Sequence, residues 1–304
     1  MAVSGDAYIY RHNLDPKYVS YFFQSELFRA QKQRHITGAK VRRISGDALA
    51  IISIAIPPRE VQEEIVRILA EFEAAIGELA QALSHESELR LGQHHLCREV
   101  MLERGDEATI DGALRLGDLV DFSNGKPHER LVNATGTVAL LTARFISTSG
   151  KSARWVNAAD TLSPAIVGDI ALVMSDLPKG RALARCFYVE EDGRFSANQR
   201  VCLLRVRDPQ RASARWLYHF LDRNPQLLVY DNGQDQTHLK KGQILGIQVP
   251  PITLAKQERI AATLDELDTS MRDLAVSLKE ERDARLTQYG HFRNRVLTFA
   301  EGAG

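Results

Sequence analysis

The chain has 304 residues, 44% hydrophobic and 26% charged, which provides a sizeable core and enough length for two domains of ordinary size. Its 39 Lys and Arg balance its 39 Asp and Glu, so the whole chain carries no basic excess of the kind that marks many nucleic-acid binders. Three scattered cysteines, Cys97, Cys186 and Cys202, argue against a disulfide framework or a zinc knuckle. The longest apolar run, Ala165 to Met174, is short and interrupted by Asp169, and the N-terminus lacks a signal layout, so no membrane is expected and a reducing cytoplasm fits.

Residues 1–58 are basic, with eight Lys and Arg against four Asp and Glu. They begin with a short amphipathic helix at Asp15–Phe23, whose aromatics are Tyr18 and Phe22, followed by the turn TGAKVRRI at Thr37–Ile44. The basic run Arg29–Arg43 reads either as a phosphate-binding remnant or as a solvated helix and turn. An apolar strand then ends at Pro57-Pro58, which stops the strand and opens an acidic helix over residues 59–104. Residues 105–253 hold strand-like runs at Leu116 (LGDLVDF), Thr137 (TVALLTA), Asp169 (DIALVM), Ala184 (ARCFYV) and Gln199 (QRVCLLRV), bounded by turn residues. A second helix occupies residues 254–304.

The two long helices are copies of one another. Aligning Gln62 with Gln257 brings Ile65, Leu69, Phe72, Ile76, Leu79 and Leu83 over Ile260, Leu264, Leu267, Met271, Leu274 and Leu278. Both rows advance by alternating steps of four and three, a heptad seam that predicts mutual packing of the two stripes. The register continues to Arg98 over Arg293, so the helices extend over Arg59–Leu102 and Leu254–Leu297, each about 65 Å long at ~1.5 Å per residue. Upstream, Asp15–Phe23 resembles Ala212–Leu221, with Tyr18 and Phe22 over Trp216 and Phe220, and Thr37–Ile44 lines up with Asn232–Leu239. Because residues 105–253 join the end of one helix to the start of the next, antiparallel packing is expected, since it sets those two ends side by side. By the repeat period, the first copy reads as only the tail of such a domain.

The motifs PPREVQEEIVRIL (Pro57–Leu69) and PPITLAKQERIAATL (Pro250–Leu264), with LGDLVDFSNGKP at Leu116, VGDIALV at Val167 and NGQDQTHL at Asn232, resemble the specificity subunits of type I restriction-modification systems. The resemblance implies a mixed α/β (α+β) fold with one complete target-recognition domain and the tail of another, joined by two antiparallel spacer helices. It implies no catalysis in this chain. The partners it implies are double-stranded DNA, type I methyltransferase (M) subunits and, through them, restriction (R) subunits. S-adenosylmethionine would belong to the partner methyltransferase. The first domain being a tail, self-association is a further expectation. The alternative is a coiled-coil scaffold or protein-interaction module that does not recognise DNA.

Phosphates call for cations, and base edges for forked donors and acceptors. Loops of the complete domain place Lys126, Arg130, Arg144, Lys151, Arg154, Lys179, Arg181, Arg200 and Lys240 as candidates for phosphate contact. His128, Asn198, Gln199, Gln234, Gln236 and His238 are the candidates for base edges. For any one of them a plain solvated surface residue is the competing reading. His94, His95 and Cys97 lie too close along one helix to converge on a metal, and no phosphate-binding glycine loop or HExxH motif occurs.

Overall fold

The structure, a computed structural model, describes residues 9–36, 44–103, 114–177, 182–231 and 233–298. Its helices in chain order are α1 (Pro16–Gln24), α2 (Glu26–Gln33), α3 (Gly46–Ala50), α4 (Arg59–Glu103), α5 (Leu116–Leu119), α6 (Ala143–Ser147), α7 (Ala214–Leu221), α8 (Pro225–Leu228), α9 (Lys241–Leu245) and α10 (Leu254–Leu297). Its strands are β1 (Leu114–Arg115), β2 (Val120–Asn124), β3 (Val138–Leu141), β4 (Trp155–Val156), β5 (Ile170–Val173), β6 (Ser175–Asp176), β7 (Cys186–Tyr188), β8 (Phe195–Ala197), β9 (Val201–Val206), β10 (Thr237–His238) and β11 (Gln248–Val249). The chain divides into two compact units, one of Met1–Gly92 with Met271–Gly304, the other Gln93–Ser270. Each long helix therefore contributes to both units, α4 dividing between Gly92 and Gln93 and α10 between Ser270 and Met271.

The second unit is built on an antiparallel sheet in the order β2-β9-β5-β7. Strand β5 and the first four residues of β9, Val201–Leu204, are apolar throughout, and successive side chains leave opposite faces of a strand, so both faces need cover. Ile170, Leu172, Cys202 and Leu204 enter a core with Leu116, Trp216, Leu217, Leu221, Ile244, Ile260 and Leu264. Ala171, Val173, Val201 and Leu203 enter a second core with Leu141, Phe145, Ile146 and Ala197. That second layer is a small sheet in the order β4-β3-β8, in which β3 and β8 run parallel. Burial of Cys186 and Cys202 raises both thiol pKa values, that of Cys202 to about 12, which leaves these two thiols unreactive.

One sequence expectation fails locally. The run LGDLVDF is not a strand from Leu116: Leu116–Leu119 form a helical turn, with the Asp118 carboxylate accepting the Arg115 N–H at 3.1 Å, and β2 begins at Val120. Both Leu116 and Leu119 are drawn into the core by that turn, which a strand's alternation would not allow.

Within this unit α4 and α10 run antiparallel. His94 Nε2 lies 2.6 Å from Asp268 Oδ1, and further along α4 Met101 and Leu102 pack on the core that holds Ile260 and Leu264, earlier in α10. In the first unit Ile65 and Leu69 are buried with Tyr18, Val19, Tyr21, Tyr289 and Leu297, and the Phe72 ring stacks at 4.8 Å on Phe292. The two heptad stripes are thus not mutually paired at their starts. The first turns of each helix meet the last turns of the other together with a short helix, α1 or α7, while Leu79, Leu83, Leu267, Met271, Leu274 and Leu278 are half-buried. Antiparallel order forces this, since equal numbers from the two starts lie at opposite ends of the pair. Among its described residues the first unit contains no strand, so the apolar strand expected to end at Pro57 does not form: residues 52–58 join α3 to α4 without a strand partner among the described residues.

Candidate nucleic-acid interface

Strands β8 and β9 are joined by a tight turn, Asn198–Val201, closed by the Val201 N–H donating to the Asn198 carbonyl at 3.1 Å. Gly125, just after β2, lies against it, its N–H donating to the Val201 carbonyl at 2.8 Å. A Cβ on Gly125 would fall 2.2 Å from the Asn198 oxygen, so only glycine permits this approach. The approach carries the following residues, Lys126 to Glu129, onto the turn.

Two residues expected at base edges are instead the internal support of that turn. His128 is fully buried. Its backbone N–H donates to Asn198 Oδ1 at 3.0 Å, its Nε2 accepts the Leu162 N–H at 3.0 Å and lies 3.1 Å from Ser196 Oγ. With Nε2 accepting, Nδ1 carries the proton and donates to the Lys126 carbonyl at 2.6 Å. Asn198 is buried too, and its amide donates to Glu129 Oε1 at 3.2 Å. Buried polar groups must be bonded internally, and both side chains are, with Asn198 also lining the cleft beside this turn.

The turn, the strand end at Thr142 and the loop at Ser152–Arg154 enclose a cleft of about 730 Å³ lined by Glu129, Arg144, Arg154, Gln199 and Arg200. Helix α6, the loop at Ser152–Arg154 and the Asn198–Val201 turn thus deliver three arginines to one place. Arg200 holds a left-handed backbone, φ 75°, at the third position of the turn, where glycine is the unstrained choice. Gln199 donates to Glu129 Oε1 at 2.9 Å. Burial works against the charge on Glu129, but its own backbone N–H, the Asn198 amide, the Arg154 guanidinium and the Gln199 amide outweigh it and hold the carboxyl below its usual pKa.

Ion pairing separates the cations of this domain into two groups. Arg205 grips the buried Asp169 with two bonds of 2.7 and 2.8 Å, Arg207 pairs with Asp121, Arg215 with Asp265 and Glu190, Arg185 with Asp222, and Arg194 with Glu191. Among the described residues Lys126, Arg130, Arg144, Lys151, Arg200 and Lys240 form no ion pair, and all are exposed. A surface that leaves these charges uncompensated while neutralising their neighbours is suited to an anion brought from outside.

The remaining candidates lie elsewhere. Lys126, Arg130, Lys151 and Lys240 do not line the cleft. Gln236 donates to Ser175 Oγ at 3.0 Å, and His238 lies in β10, paired antiparallel to β6. Gln234 is exposed but not without partners. Lys179, Arg181 and the turn at Thr37–Arg43 lie outside the described residues. Glu129 was not singled out by the sequence, although it falls inside the loop NGKPHER that was; a lone carboxylate among cations has no sequence signature. Among the described residues no group of three His, Cys, Asp or Glu side chains is arranged to hold a metal, and none of the described helices is long and apolar enough to cross a membrane.

The second unit thus brings Arg144, Arg154 and Arg200 to one cationic cleft. Residues 114–281 match the family described as type I restriction modification DNA specificity domain, and the chain belongs to that family. The fold is similar to a chain from a structure titled for complex assembly and conformational transition of the type I R-M system, at TM-score 0.65 and 17% identity, covering 93% of this chain and 71% of that one. It is also similar to the HsdS subunit from Thermoanaerobacter tengcongensis, at TM-score 0.51 and 18% identity, covering 93% of this chain and 68% of that one. No curated protein matches the sequence.

Proposed function

We propose that this chain is the DNA-reading specificity subunit of a type I restriction-modification complex and that residues 114–251 bind one half of a bipartite duplex site. The observation that carries this reading is the cleft in which Arg144, Arg154 and Arg200 converge, none of them closing an ion pair with a carboxylate among the described residues. In this reading the exposed apolar positions Leu96 and Val100 on α4 belong to the surface that docks methyltransferase subunits. Restriction subunits join through those, and S-adenosylmethionine and the chemistry stay with the partners. In the same reading two copies act together, each supplying its sheet-bearing unit to a split, symmetric site.

Titration of labelled duplex with the full chain over a range of salt tests the reading. Affinity is expected to fall steeply with salt, with a log–log slope near −0.9 per phosphate neutralised, and each of Arg144→Ala, Arg154→Ala and Arg200→Ala to flatten that slope by about one unit where it meets a phosphate. No binding to any duplex, with methyltransferase present, sinks the proposal. Sedimentation of the DNA complex decides the stoichiometry: two chains per split site are expected, and one chain protecting both halves contradicts pairing.

A further inference from the structure

The cleft holds one group that phosphate binding does not explain. Glu129 is exposed at the cleft and ionised, and in a surface built only for phosphate its charge opposes the ligand. Nor does it close an ion pair of the kind its neighbours make, Arg154 acting on it only at longer range. Arg205, Arg207, Arg215, Arg185 and Arg194 each close to within 4 Å of a carboxylate, whereas no arginine among the described residues closes on Glu129. Besides its own backbone N–H, the side-chain donors to it are neutral amides, Asn198 at 3.2 Å and Gln199 at 2.9 Å, and both end on Oε1. No side chain of the described residues donates to Oε2, which leaves the cleft's one carboxylate with an oxygen that can accept a further bond.

We infer that Glu129 is a specificity determinant: its free carboxylate oxygen accepts a hydrogen bond from the exocyclic amino group of a base, cytosine N4 or adenine N6, presented in the major groove. Guanine and thymine present only acceptors there, at O6 and N7 or at O4, and a carboxylate repels them. The support under Glu129 fits this role. The buried His128 precedes it, the buried Asn198 holds it, and the glycine approach at Gly125 keeps both in place, so the acceptor is held by the domain interior and not by a mobile side chain. The inference rests on the DNA-binding reading above and adds to it which base is chosen.

The test selects duplexes from a randomised pool with the full chain, in its wild-type form and as Glu129→Gln and Glu129→Ala, and sequences what binds. Wild type is expected to favour cytosine or adenine at one position. Glu129→Ala is expected to lose that preference, by about 10- to 100-fold, and to keep the others. Duplexes lacking only that amino group, with 2-pyrimidinone in place of cytosine or purine in place of adenine, are expected to weaken wild type by a similar factor and leave Glu129→Ala unaffected. Glu129→Gln retains the shape and the bonds to Oε1, so it guards against loss of folding, and it is expected to admit bases that present an acceptor. Variants that keep every preference, with affinity equal or higher, overturn the inference and leave the DNA-binding reading standing. Wild type that binds duplex without any preference overturns the inference as well, and wild type that binds no duplex removes both.

Discussion

Gln62 and Gln257, 195 residues apart, make the same two hydrogen bonds in two different units. Gln62 accepts the N–H of Asp15, the N-cap of α1, at 3.0 Å and donates to the Pro57 carbonyl at 2.8 Å. Gln257 accepts the N–H of Ser213, the N-cap of α7, at 2.8 Å and donates to the Ile252 carbonyl at 3.1 Å. The far ends of the same short helices are held by the opposite long helix: Arg293 of α10 donates to the Gln24 carbonyl at 2.8 Å, and Arg98 of α4 to the Asp222 carbonyl at 3.2 Å. Each short helix is therefore tied at its start to one long helix and at its end to the other.

Both glutamines are buried, so replacing either with leucine strands a backbone N–H and a carbonyl in the core. Gln257→Leu and Gln62→Leu are each expected to lower unfolding free energy by about 1–3 kcal/mol in urea denaturation, each in its own unit. An unchanged midpoint in both variants is the result that contradicts a shared structural role.

The support beneath the cleft should be separable from recognition. Gly125→Ala places a Cβ against backbone that cannot move away and is expected to cost several kcal/mol, enough to abolish the folded unit. His128→Ala leaves the Leu162 N–H without its acceptor and is expected to cost roughly 2–4 kcal/mol while leaving base preference unaltered wherever the protein still folds. Thermal melting and duplex selection together check both, and a shift in preference with unchanged stability returns His128 to the interface.

Arg200 should trade stability against function. Its left-handed backbone is costly for any residue with a Cβ, so Arg200→Gly is expected to preserve or raise stability, by up to about 1 kcal/mol, while weakening duplex binding. A variant that binds as wild type does shows that the strain serves something other than DNA.

His219 makes the second unit sensitive to acid. Burial lowers its pKa, and its Nε2–H donates to Asp265 at 2.8 Å while Nδ1 is buried without a partner. Folded His219 thus binds a proton less readily than unfolded His219. Its contribution is complete above the ordinary value of 6.5 and is lost as pH falls through the depressed folded value. His219→Gln, which retains a donor toward Asp265, is expected to flatten the loss of melting temperature on acidification from pH 7, and an unaltered slope refutes the assignment. The equivalent position in the first unit is Tyr21, whose hydroxyl donates to Glu73 at 3.0 Å and whose pKa is pushed up to about 12, so that unit is expected not to share this response.

Periodic and duplicated features were legible in the sequence because they are local. The heptad spacing from Ile65 and from Ile260, the apolar runs of β5 and β9 and the echo of Gln62 in Gln257 need only neighbouring residues or a comparison of two segments. Which side chains face a ligand was not legible, because burial is decided by segments that meet only in the fold. His128 and Asn198 look like base readers in a polar loop, yet both are buried in the fold, where they support the turn beside the cleft. Arg144, Arg154 and Arg200 are candidates of the same standing as Lys151 or Lys240 along the chain, and tertiary structure alone brings them into one cleft around Glu129. The seam shows the same limit in the helices: its period is a property of one chain segment, but its partner is set by direction. Antiparallel order gives Leu69 a core with Tyr289 and Leu297, while Leu264 shares one with Trp216 and Leu217.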